Sequence, residues 1–313
     1  SLGAELSTDH HQRSRVFGSY RMFFVGGMAL AFAAIHYATN ATDPRGAARW
    51  VALVGAAAAS LVLLLPPARL RERSAYQGRG ATSPYSALRD VSHNPHARIL
   101  LAAWFIEGIG GGVLGVLAPY IAVYVVRRPD LVAVLPAFFV VAGVASLPVW
   151  VWLSGRFGKR NVWLVAIVGN ALFFGATFFV HQEQIALLCA LLVGAGAANA
   201  CGGAIGASML ADTIDYDELE TGQRKEGAYS AAWGFALKLS IGTVVGLTGV
   251  ALQLSGFQPN VEQTRAAELT LRGLFAGAPT GAACVAFFVL RRFRLDALEH
   301  HRIRAALRLR GEA

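Results

Sequence analysis

Residues 209–227 read MLADTIDYDELETGQRKEG, and six carboxylates fall within them: Asp212, Asp215, Asp217, Glu218, Glu220 and Glu226. They stand between two long apolar runs, in a chain with only nineteen acids and a formal net charge of +9. Such a concentration of charge has to lie outside hydrocarbon, so it marks a polar end shared by two apolar segments. The runs on either side decide the rest. The chain is 55% hydrophobic and 15% charged, whereas soluble domains carry about 25% charged residues. That deficit implies a bilayer protein.

A membrane helix needs about 20 mostly apolar residues, since about 30 Å of hydrocarbon is crossed at 1.5 Å per residue. Eight stretches qualify: 20–39, 48–66, 98–126, 131–153, 162–180, 184–211, 228–254 and 268–290. Short polar turns join most of them. Residues 67–97, rich in Arg, Ser, Gly and Pro, read as a linker between two bundles. With the first loop on the cytoplasmic side and the sides alternating, 21 of the 28 Lys and Arg fall in cytoplasmic segments and 6 outside, leaving Lys238 within a span. That bias follows the positive-inside rule and places both termini in the cytoplasm. It also accounts for the basic balance without nucleic acid, and it sets the acidic cluster opposite Arg156, Lys159 and Arg160 of the preceding cytoplasmic loop.

Lys238 is the most informative single residue, because a cation at the centre of a bilayer costs about 2.5–3.5 kcal/mol on insertion scales. Steps of three and four along its helix give Gly227, Ala231, Gly234, Lys238, Gly242, Gly246 and Gly249, a stripe suited to close helix packing. The stripe predicts that Lys238 points into the bundle, either at a functional site or locked by an ion pair with Glu107. Glu107 lies in WFIEGIGGGVLG, whose glycines permit close approach and bending of a helix. It is read equally as a functional acid or as a neutral or capped one near the interface. Arg21, in GSYRMFF, fits a snorkelling arginine at the start of a span, and Arg13 fits a loop charge.

Other chemistry is not supported. Cys189, Cys201 and Cys284 lie in apolar segments and have no disulfide or metal spacing. GxxxxGK[ST], HExxH and paired CxxC are all missing from the sequence, so neither a metal site nor an enzyme is expected. The tail LEHHRIRAALRLR is basic and amphipathic, and is read as a helix lying on the inner leaflet. The chain begins at Ser1 with no Met and no signal-peptide pattern, as expected of a fragment of something longer.

The acidic stretch with Lys238 eleven residues after it resembles the glycoside–pentoside–hexuronide:cation symporters, the melibiose-carrier-like branch of the major facilitator superfamily. GFQPNVEQT (256–264) resembles that family's G-[YF]-x-PN-x-x-Q turn, and TDHHQRSRVFGSYRMFF resembles its D-x-x-x-R-x-x-x-x-x-x-Y-R entry to the fifth helix. The resemblance implies an all-α polytopic major facilitator fold in the cytoplasmic membrane, its eight spans corresponding to helices 5–12 of a twelve-helix carrier. Residues 1–66 would then be the last two helices of the N-terminal bundle, 67–97 the cytoplasmic middle loop, 98–290 the six-helix C-terminal bundle and 291–313 a basic cytoplasmic tail. It implies a monomeric secondary transporter that couples Na⁺ or H⁺ to a sugar or glycoside and holds no cofactor. The main cation site would lie on the N-terminal helices that this chain lacks, which would leave either a fragment or a non-transporting remnant. Lys238, Arg21 and Glu107 become the expected solute or cation site, and Asp212, Asp215, Glu218, Arg224, Arg13 and Arg156 the cytoplasmic gate. No aromatic occurs between Cys201 and Met209, where melibiose-type carriers stack the sugar ring. A lipid-like or other amphiphilic solute is therefore the alternative cargo.

Overall fold

A computed structural model describes residues 26–69, 89, 91–295 and 297–309. Its described residues are helical, with turns and no strands. Seven of the helices there are long and apolar enough to cross a membrane. The first of the eight expected spans begins outside the described residues, and its remainder is helical over 26–40 (α1). Most of the expected linker, 70–88, also lies outside them.

The chain divides into two compact units, Ser1–Gly80 with Pro129–Ala137, and Ala81–Arg128 with Phe138–Ala313. In the first unit, α1 is followed by α2, Pro44–Arg69. Asp43 opens α2 by accepting a hydrogen bond from the Gly46 amide (3.0 Å), and Pro44 fills the first helical position, where a missing N–H costs nothing. Leu53, Val54, Leu61, Val62 and Leu63 of α2 are exposed, as suits a helix meeting lipid.

The second unit is built around α3, Pro95–Tyr120, extended by a π-helical turn, Ile121–Val125. Asn94 caps α3, its Oδ1 accepting from the amides of His96 (3.0 Å) and Ala97 (3.2 Å). The glycines after Glu107 each make room for a different neighbour. A Cβ on Gly108 would meet Ser240, one on Gly110 the backbone of Pro279, one on Gly111 the amide of Asn199 and one on Gly112 Val244. α3 is thus the central post, and its glycines set how closely three other helices approach.

Those neighbours follow in order. α4 (Val134–Phe157) ends at Gly158, whose φ of 83° turns the chain into α5 (Lys159–Thr177). α6 (Ile185–Cys201) continues through a π-helical segment, Gly202–Gly206, into α7 (Ala207–Thr221). Gly222, with φ 66°, ends α7, its amide bonding back to the Glu218 carbonyl at 2.8 Å, a left-handed cap suited to glycine. α8 (Glu226–Leu254), α9 (Arg265–Leu290) and α10 (Ala297–Leu309) complete the unit. α9 packs on α3 and α5, α8 on α3, and α6 on α5.

Two expectations about packing are corrected. The face of α8 that carries the buried Tyr229, Ala236, Ser240, Val244 and Thr248 meets the α3 glycines at Ser240 and Val244, and the glycine stripe does not. A Cβ at Gly227, Gly234, Gly242, Gly246 or Gly249 would meet nothing within 4 Å, and Lys238 is exposed. The close approach comes from the glycines of α3, so those of α8 are free to face away. The basic tail does not lie apart from the bundle. Ile303 and Leu307 of α10 are buried in one apolar cluster with Val91, Leu100, Trp163, Met209, Tyr229, Leu290 and Phe293. Spacing of i, i+4 gives α10 an apolar stripe, and that stripe is buried against the bundle.

Candidate functional site

The acidic stretch forms the last turns of α7 and the loop after it. Asp215, Asp217 and Glu218 are buried although charged, and buried charges require partners. Arg224 supplies most of them. The αL turn at Gly222 folds the chain back so that the guanidinium reaches Asp215 (3.1 Å), Glu218 (2.5 Å) and Glu226 (2.7 Å). Partial burial pulls the guanidinium pKa down. Hydrogen bonds and charges from Glu226 and Glu218 outweigh that pull and hold it above its ordinary value. Lys225, itself buried, reaches Asp217 at 3.4 Å and donates to the Thr221 hydroxyl at 3.1 Å.

Asp212 pairs with Lys159 at the start of α5 (2.5 Å). Of the three cations expected opposite the cluster, Lys159 makes this pair, while Arg156 is exposed and lies over the Phe157 ring, 6.0 Å from its centroid. Helix α5 begins one residue after Gly158, and its first turn carries Lys159, not Arg156, toward α7. Two further partners come from α10: His300 Nε2 is 3.1 Å from Asp215 and 3.5 Å from Asp212, and the Arg304 guanidinium is 3.6 Å from Asp215. Sequence reasoning missed both. The signal was the apolar stripe of the tail, which fixes the face that His300 and Arg304 present.

Asn94 ties this end of the bundle together. Besides capping α3, its Nδ2 donates to the Tyr229 hydroxyl of α8 (2.8 Å) and to the Thr213 carbonyl of α7 (3.4 Å). The Asn-Pro pair at 94–95 is a readable helix-start signal, although its reach to α7 and α8 is not.

Glu107 lies midway along α3 and is buried. It does not pair with Lys238. The indole Nε1 of Trp163 on α5 donates to its Oε2 at 2.8 Å, while Oε1 is buried with no hydrogen-bond partner. Across from it runs the π-helical segment, where a Cβ at Gly202 would overlap the carboxylate and one at Gly206 would press on the rings of Trp163 and Trp233 (2.9 Å each). Trp233 stacks on Trp104 of α3, with centroids 4.4 Å apart and planes 9° from parallel. Arg21 and Arg13 lie outside the described residues.

At the opposite end of the unit, the turn after α8 is held by its own side chains. Gln263 Nε2 donates to the carbonyls of Gln258 (2.5 Å) and Val261 (2.8 Å), and Thr264 caps α9. Phe257 packs edge-on against Tyr124, with centroids 5.0 Å apart. The Pro-Asn-x-x-Gln pattern therefore has a structural reason: its glutamine bridges the turn.

A bundle of apolar spans, joined at one end by ion pairs and carrying a buried acid midway, is that of a polytopic membrane protein. The family model for MFS/sugar transport proteins matches residues 1–297. The chain belongs to that family. It is 26% identical over 211 residues to the sodium-dependent lysophosphatidylcholine symporter 1-A of Danio rerio, covering 66% of this chain and 39% of that protein. It is 25% identical over 254 residues to the isoprimeverose transporter of Lactiplantibacillus pentosus, covering 80% of this chain and 52% of that protein. The chain thus spans about half or less of the length of these relatives.

Proposed function

We propose that the protein acts in secondary active transport, coupling Na⁺ or H⁺ to the movement of a sugar or glycoside across the cytoplasmic membrane by alternating access, with both termini in the cytoplasm. The observation that carries this reading is the ion-pair cluster at the end of α7. Lys159, Arg224, His300 and Arg304 there come from three different segments and converge on Asp212, Asp215 and Glu218. A gate of this kind holds one end shut through several partly exposed pairs, each worth about 0.2–1 kcal/mol, so it biases a two-state equilibrium without freezing it. Lys238, exposed on the face of α8 that turns away from α3, is then a charge offered to the transport path, and Arg21 a solute ligand.

A second reading keeps the fold and changes the cargo to a lysophospholipid or similar amphiphile. It is favoured by the glycine-rich wall of residues 202–206, which carries no sugar-stacking aromatic, and by the lysophosphatidylcholine symporter among the relatives. Uptake into proteoliposomes of labelled glycosides and of labelled lysophosphatidylcholine, each with and without a Na⁺ or pH gradient, separates the two. Gradient-driven accumulation of a glycoside supports the first reading, and that of the lipid alone supports the second. If no solute accumulates under either gradient, coupled transport by this chain is refuted.

A further inference from the structure

Glu107 is the acid among the described residues that is buried with one oxygen unpartnered. Its carboxyl is shielded on every side. One oxygen receives the Trp163 indole N–H, the other meets no donor, and Gly202 leaves room only for the carboxyl itself. An ionised carboxylate away from water needs a counter-charge or several donors. The indole is a single neutral donor and cannot be more.

Among the described residues, the surrounding helices of the unit bring no cation to it. On α5, Lys159 is engaged by Asp212, and Arg160 donates to the Phe293 carbonyl. On α8, Lys238 is exposed and lies off the face that packs on α3. On the α6–α7 rod, the titratable group within electrostatic reach is the Cys201 thiol, and the acids of α7 lie at its far end. On α9, Glu268 is in the first turn, Arg272 donates to the Val180 carbonyl, and Cys284 is exposed.

We propose that Glu107 is a proton-carrying site of this bundle, holding H⁺ on its carboxyl while α3, α5 and the π-helical segment are packed as here and exchanging it with solvent when they part. The proton comes from water: an O–H bond forms on the carboxylate at loading and breaks at release, with no other reactant. The π-helical segment is the hinge of this site. Such segments interrupt the regular hydrogen-bond ladder and recur at functional positions, and here both glycines that touch the niche, Gly202 and Gly206, belong to it. The inference extends the coupled-transport reading, but its test requires no solute.

Infrared spectra of the purified full chain in lipid, recorded at neutral pH, read the carboxyl directly. A protonated-carboxyl C=O band present in the native protein and lost in Glu107→Gln supports the proposal. Spectra that match in this region overturn it. On transfer to D₂O the band should shift as O–H becomes O–D. A band that never shifts makes Glu107 a sealed structural acid and overturns the carrier role. If the Gln variant does not fold, Trp163→Phe removes the donor that favours the ionised form. The band should then persist to higher pH, and an unmoved titration refutes the assignment. Because these readouts need no transport, they fail independently of the glycoside uptake assay.

Discussion

Replacing Arg224 with Gln is the most direct test of the ion-pair cluster. Two of the three bonds lost end on Asp215 and Glu218, whose side chains are each 9% exposed, whereas the Arg224 side chain is 48% exposed. A hydrogen bond to a charged group contributes about 1.5–3 kcal/mol when sheltered, and an exposed ion pair about 0.2–1 kcal/mol. Discounted for the half-exposed guanidinium, each bond is worth about 1 kcal/mol and the two together about 2 kcal/mol, a factor of about thirty in a local opening equilibrium. The loss falls unevenly. Asp215 keeps His300 and Arg304, while Glu218 loses the only ion pair it makes among the described residues. Hydrogen exchange read by mass spectrometry should therefore show the peptide around 218–226 exchanging about thirty times faster, with α9 and α5 unchanged. The raised Arg224 pKa makes its contribution fully present below the ordinary arginine value and lost only as pH climbs through the still higher folded value. The acceleration should accordingly be constant from neutral to mildly alkaline pH. A rate that does not move, or that rises equally across the bundle, refutes the reasoning.

Other perturbations test neighbouring contacts. In a double-mutant cycle, Lys159→Met and Asp212→Asn should show a coupling of about 0.5–1 kcal/mol in unfolding midpoints, whereas Arg156→Ala should stay within about 0.5 kcal/mol of the native protein. Tyr229→Phe removes the acceptor for Asn94 and should cost about 1–2 kcal/mol, and Asn94→Ala should cost more because the α3 cap is lost as well. Thermal unfolding in detergent ranks these two. Lys238→Ala should abolish cation-coupled uptake while leaving insertion and the unfolding midpoint unchanged, because its stripe meets no other helix of the unit. Normal accumulation in that variant would leave Lys238 without a transport role.

The spans were legible because a bilayer leaves few choices: about twenty apolar residues must form a helix whatever their neighbours. Local stops carry signals of their own, since Asn94-Pro95 and Gly222 act on the chain next to them. Facing was not. The small-residue stripe around Lys238 and the glycines of α3 look alike in sequence, and only the positions of Ser240, Val244 and Pro279 show which set lies at an interface. Pairing between helices was equally hidden. Arg156, Lys159 and Arg160 lie within five positions, so the start of α5 after Gly158 decides which of them reaches Asp212. An apolar i, i+4 stripe such as Ile303 and Leu307 fits a leaflet or a bundle equally well, and the contacts of His300 were lost with that choice. Trp163 and Glu107 are 56 residues apart, and neither hints at the other.

The place of α10 has a consequence for how the protein is made. Asp215 and His300 are 85 residues apart in the chain, with α8 and α9 between them. A ribosome therefore delivers α7 and its acids to the membrane well before two of their partners exist, and domains assemble in the order of synthesis. Through that interval Arg224, Lys225 and Lys159 hold the acids. The acidic end gains these contacts only after α10 has been translated and packed against α7.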